Sequence, residues 1–145
     1  MPWDVRFFAW DDRSDPRKDT SAIARLVRGT PIATARPGRL DYFWYRPTVP
    51  GVPRERWAAL ATTRVTLAAG SYSVRAISDD AIRVWIDGRL AIDHWAPHDS
   101  EVDYAPIAPG RHDLRVEYYQ VGGWTELRLD IVRGGARSAG SPGPH

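Results

Sequence analysis

Three groups of residues carry the chemistry open to this chain: the adjacent acids Asp79 and Asp80, the stretch His94 to Asp99, and seven tryptophans with six tyrosines and three phenylalanines. Ser78-Asp79-Asp80 stands between two strand-like runs. Aspartates there accept hydrogen bonds from nearby backbone and make a good turn with no ion involved. Large amphipathic aromatics fill a core or offer flat faces to ligands such as sugars. Trp124 opens a strand and reads either as core or as a sugar-stacking face, whereas Trp85 and Trp95 read as structural. His94 and His98 have the spacing of a helical metal pair. Pro97 and the strand context keep them off one helix face, and Asp99 and His112 add only composition, so no transition-metal site is expected.

Catalysis is not expected either. A glycosidase sets two carboxylates about 5 to 10 Å apart across a cleft, and nothing pairs Asp41, Glu55, Glu101, Asp103 and Glu117 in that way. The serines lack a G-x-S-x-G elbow, and there is no glycine-rich phosphate loop. With no cysteine, disulfide frameworks, thiolate zinc sites and thiol nucleophiles are excluded together. The run from Arg36 to Arg46 interleaves base and aromatic as a single-strand nucleic-acid binder does. Asp41 interrupts it, and a net charge of +2 is too small for such a footprint, so no nucleic-acid partner is expected. No apolar run approaches the roughly 18 residues of a membrane span. Met1-Pro2-Trp3-Asp4 lacks the basic and then apolar regions of a secretory signal. The reading is a soluble chain with no direct membrane insertion, and its compartment has to be inferred from other features.

These residues need a scaffold, and 145 residues with 43% hydrophobic and 26% charged side chains predict one folded core. Val5 to Trp10 reads as an opening strand. Thr20 or Ser21 caps a short predicted helix with Ile23, Leu26 and Val27 on one face, ending at Gly29. Prolines break up residues 31–53 except for the aromatic strand Leu40 to Tyr45. Ala61 to Leu67 and Tyr72 to Ser78 form an antiparallel pair about Ala69-Gly70. Ile82 to Ile86 turns at Asp87-Gly88 into Leu90 to Asp93, a hairpin signal because both turn positions tolerate positive φ. His112 to Tyr119 and Trp124 to Ile131 flank the loop Gln120-Val121-Gly122-Gly123. Short strands at such spacing predict an all-β antiparallel sandwich or barrel with long loops, a single domain over 1–132. Residues 133–145, rich in Gly, Pro and Ser, predict a flexible tail.

The series Ala69-Gly70-Ser71-Tyr72-Ser73-Val74, Ser78-Asp79-Asp80-Ala81 to Gly88, Ile92-Asp93-His94-Trp95 and Pro109-Gly110 to Gln120 resembles the protective-antigen-type (PA-fourteen) family in order and spacing. The resemblance is strongest over residues 60–132, includes Leu40 to Trp44, and is loose over residues 1–35. Two departures stand out. Leu60 to Thr63 replaces a stretch where members often carry tryptophan and glycine, and Ala81 replaces the glycine that usually follows the paired aspartates.

The resemblance implies a β-sandwich accessory module, extracellular or periplasmic, that binds glycans or glycoconjugates and is attached to a host enzyme, adhesin or membrane-protein complex. In lectin-like members, two aspartates joined by a cis peptide hold calcium, a nearby loop completes the shell, and the calcium grips sugar hydroxyls. Carried over, Asp79 and Asp80 match the pair and Gln120 to Trp124 the loop. Gln120 would supply a side-chain oxygen and Gly122 or Trp124 a backbone carbonyl, with Asp79, Asp80, Gln120 and Trp124 facing the sugar. Carboxylates, an amide oxygen and carbonyls are all suitable calcium donors. The rival expectation is a non-catalytic structural or protein-interaction module that docks on a partner through the Pro-rich segment 31–53 and its neighbouring aromatics.

Overall fold

A computed structural model describes residues 1–134. Ten strands and one short helix follow in order: β1 (Asp4–Ala9), α1 (Ala22–Leu26), β2 (Ala33–Ala35), β3 (Leu40–Trp44), β4 (Trp57–Leu67), β5 (Tyr72–Asp79), β6 (Ala81–Ile86), β7 (Arg89–His94), β8 (Glu101–Ile107), β9 (Gly110–Gln120) and β10 (Thr125–Arg133). They pair antiparallel into a six-stranded sheet, β2-β1-β4-β9-β6-β7, and a four-stranded sheet, β3-β10-β5-β8. The sandwich expected from the strand spacing is therefore the architecture found.

The spine of the larger sheet is β4 against β9, eleven residues each, in unbroken register from Trp57 opposite Gln120 to Leu67 opposite Gly110. Side chains alternate across such a strand, so Trp57, Ala59 and Ala61 join the main core while Ala58 faces outward. Fully buried Trp57 packs with ring centroids 5.5 Å from Phe7, 5.8 Å from Trp44 and 5.2 Å from Tyr118, joining strands of both sheets. On the outer face α1 lays Ile23 over Ala58, Ala81 and Tyr119, which builds a second small core with Trp10. The helix is shorter than its apolar face suggested. Ser21 makes no capping bond; its N–H and hydroxyl instead donate to Asp19 Oδ1 at 2.9 and 2.7 Å.

The Asp87-Gly88 hairpin is as predicted, with φ of 52° and 80°. Two strands were not anticipated. β2 has only three residues, and β8 contains Pro106, which normally counts against a strand. β8 lies at the edge of its sheet and pairs only with β5, so the missing proline N–H interrupts no second ladder. At the C-terminus β10 runs through Arg133, and the Gly134 N–H donates to Ser71 O at 2.8 Å. The rest of the predicted tail, 135–145, lies outside the described residues.

Candidate functional site

Every connection that carries the chain from one sheet to the other near Asp79 arrives at the same end of the sandwich. Register requires it: Trp44 lies opposite Thr125, Trp57 opposite Gln120, Glu126 opposite Asp79, Ala81 opposite Tyr119, Ile82 opposite His94 and Ser78 opposite Glu101. Residues 45–56, Asp80, 95–100 and 121–124 are thereby gathered together. The two sequence-distant pieces of the expected site, Asp79-Asp80 and Gln120 to Trp124, are among them.

The Asp79–Asp80 peptide bond is cis. Asp80 is buried, and its Oδ2 accepts the Val121 N–H at 3.0 Å, which fastens the 121–124 loop onto the pair. Its amide N–H donates to the Tyr118 hydroxyl at 3.1 Å. That hydroxyl also lies against the Asp79 carbonyl and Gln120 Oε1 and donates to one of them. Burial, with the negative charge of Asp80 behind it, holds Tyr118 well above its ordinary pKa and so protonated.

Gln120 is fully buried with its amide turned inward, and Nε2 donates to the carbonyls of Gly122 and Trp124, both at 2.8 Å. Its oxygen faces Tyr118. In this geometry Gln120 sets the shape of the loop, and Gly122 and Trp124 each keep a carbonyl lone pair free of Gln120, since a carbonyl oxygen has two. Gly123, at φ 78°, makes the tight turn between them, a conformation other residues adopt only with strain.

The electrostatics of the pair favour a cation. Asp79 is pushed up to about 6, first by burial and then by the charges of Asp80, Asp99 and Glu126. Asp80 is raised by burial, partly offset by the backbone N–H groups of Val121 and His98. Of the neighbouring acids, Glu126 meets Arg128 at 3.0 Å and the Ser100 hydroxyl at 2.5 Å. Asp79 and Asp80 have no ion-pair partner among the described residues. The two carboxylates offer oxygen donors, the kind calcium takes.

Next to the loop lies an exposed aromatic patch. Trp124, 53% exposed, stacks on Phe43 with centroids 5.2 Å apart and planes at 22°, and Tyr45 leans on it at 5.4 Å. Trp124 therefore belongs to the surface. Arg128 lies over Phe43 and Arg54 over Tyr45, and a cleft of about 260 Å³ opens between Tyr45, Arg54, Glu55 and Gly123. The register Thr125 to Trp44 brings Phe43 and Tyr45 to Trp124, which residue spacing could not reveal. Trp85 and Trp95 are half-buried on the outer face of the larger sheet, Trp95 beneath Arg83 at 3.8 Å and edge-on to Tyr119. A larger groove of about 650 Å³, lined by Thr62, Arg64, Trp85 and Asp113, runs over that same outer face and includes neither aspartate of the pair.

The family model described as the PA14 domain matches residues 13–141. A curated relative, the anti-sigma-I factor RsgI3 of Acetivibrio thermocellus, is 35% identical over 69 residues, 45% of this chain and 10% of that protein. The chain thus spans a small part of that relative's length. A solved PA14 sugar-binding domain from RTX adhesin superposes with a TM-score of 0.72 at 16% identity, covering 95% of this chain and 93% of that one. The Epithelial Adhesin 9 A domain from Candida glabrata, in complex with Galb1-3GlcNAc, superposes at 0.71 with 6% identity, covering 95% and 84%. These two superpositions show a shared fold.

Proposed function

The chain belongs to the PA14 domain family, and on that premise we propose that it is a non-catalytic, calcium-dependent carbohydrate-binding module acting outside the cytoplasm. The observation that carries the reading is the pairing of Asp79 and Asp80, without cationic partners among the described residues, beside an exposed patch of Phe43, Tyr45 and Trp124. Oxygen donors from Asp79, Asp80 and the carbonyls of Gly122 and Trp124 would hold calcium, with Gln120 fixing the two carbonyls. Bound calcium supplies open coordination positions for adjacent sugar hydroxyls. The chain's own residues do the rest. Tyr118 and Val121 hold Asp80 in place, and the Trp124 face stacks on the apolar side of a sugar ring.

Two relatives lend support: the adhesin domain is described as sugar-binding, and the Epithelial Adhesin 9 A domain was solved with a disaccharide. A second reading has its own observation. The exposed aromatics overlaid by Arg54 and Arg128 have the composition of a protein-docking surface, and the curated relative is an anti-sigma factor. Glycan binding measured with calcium and with chelator separates the two. Calcium-dependent binding to a defined glycan supports the lectin reading, and calcium-independent capture of a protein partner through Trp124 supports the docking reading.

A further inference from the structure

The loop 95–100 carries a cluster that sugar binding leaves unused. Pro97 does keep His94 and His98 off a common helix, as the sequence indicated, yet the two histidines meet by another route. His94 ends β7, and the loop folds His98 back over it, so the imidazole rings stack with centroids 3.7 Å apart and planes at 21°. Glu101, the first residue of β8, completes a triangle. Its Oε2 lies 3.7 Å from His94 Nε2 and 3.5 Å from His98 Nδ1.

We propose that His94, His98 and Glu101 form a binding site for a divalent transition metal of the zinc class, separate from the Asp79–Asp80 pair. The spacing suits such an ion. Metal–ligand bonds of about 2.0–2.1 Å in a tetrahedron place neighbouring donors about 3.3 Å apart. The two measured separations are within a few tenths of an ångström of that edge, and the donor atoms of all three residues lie within 4.8 Å of one another.

The surroundings orient the ligands. Asp103 Oδ2 lies 2.9 Å from His94 Nδ1, so a neutral His94 ring donates from Nδ1 and carries its lone pair on Nε2, the nitrogen that faces Glu101. A carboxylate behind a ligating histidine is the usual arrangement at metal centres. With no cation between them, that lone pair and the Glu101 oxygen repel; a metal converts the same contact into shared coordination. His98 Nδ1 donates to the Asp99 carbonyl at 2.5 Å, so ligation through Nδ1 moves that proton to Nε2, which has the buried Ser78 hydroxyl at 3.4 Å as its acceptor. His94 and Glu101 side chains are 26% and 54% exposed, so an ion can enter and the fourth position faces water or an external ligand. Two imidazoles and one carboxylate suit zinc, whereas calcium takes six to eight oxygens.

The test is a calorimetric zinc titration of the full chain after chelator treatment, with cobalt(II) as a spectroscopic probe and circular dichroism as the check of fold. The expected result is one zinc per chain and the visible absorption of tetrahedral cobalt. His94→Ala and Glu101→Gln each weaken zinc by about tenfold or more, and Asp103→Asn weakens it by about 10- to 100-fold. The Asp79→Asn, Asp80→Asn double variant keeps zinc while losing calcium, which separates this site from the sugar reading. Absence of zinc binding to the folded wild type overturns the proposal. So does zinc binding that survives His94→Ala and Glu101→Gln, or that disappears in the aspartate double variant.

Discussion

The Tyr118 hydroxyl accepts the backbone N–H of Asp80 at 3.1 Å from the fully buried interior of β9. One phenol thus ties the centre of the six-stranded sheet to the turn that carries the acid pair. Tyr118→Phe removes that acceptor and leaves a buried N–H without a partner, a loss of about 1–3 kcal/mol. Urea denaturation of the metal-free variant should show a lower midpoint at unchanged slope, together with weaker calcium binding.

Gln120 offers a test of positioning against ligation. Its Nε2 holds the carbonyls of Gly122 and Trp124, so Gln120→Met should destabilise the fold by about 1–3 kcal/mol in chelator as well as in calcium. A variant as stable as wild type in chelator, and weakened only in calcium, would make Gln120 an ion ligand instead.

Asp79 predicts a pH dependence whose sign is opposite to that of an ordinary salt-bridged acid. Its folded pKa of about 6 lies above the 3.8 of the unfolded chain. The folded state therefore binds the extra proton, and the stability this contributes is fully present below about pH 4 and lost as pH rises through about 6. Thermal melts of the metal-free protein should show Asp79→Asn flattening that fall between pH 4 and 7. Calcium should raise the wild-type melting temperature at pH 7 and do so less at pH 5.

Trp124 is exposed and stacked on Phe43, so Trp124→Ala should leave the melting temperature and calcium affinity nearly unchanged. Glycan affinity should fall by about tenfold, equivalent to about 1.4 kcal/mol. Equal losses of stability and binding would place Trp124 in the scaffold.

Local sequence was informative where one short-range rule governs. Asp87-Gly88 is a two-residue turn that needs positive φ twice, and both residues adopt it. Strands β1 and β3 were legible as aromatic runs bounded by turn residues and prolines, and β5 and β6 by their alternation. β8 was hidden because Pro106 and the acids of Glu101-Val102-Asp103 are acceptable only at a sheet edge, a fact of topology. The acid pair was recognisable through its motif. The patch of Phe43, Tyr45 and Trp124 depends on the pairing of β3 with β10 across about eighty residues of chain. The meeting of His94 with His98 and Glu101 depends on a loop that folds back between the two sheets. No periodicity encodes either contact.

The central claim is that Asp79 and Asp80 hold calcium and that the ion is needed for sugar binding. It is tested most directly by titrating calcium into the metal-stripped chain by calorimetry, with the Asp79→Asn, Asp80→Asn double variant alongside, followed by a glycan screen with and without calcium. The account predicts one calcium per chain at micromolar to millimolar strength, absent in the variant, and glycan binding that chelator abolishes. A folded wild type that takes up no calcium, or glycan binding indifferent to chelator and to both substitutions, would contradict it.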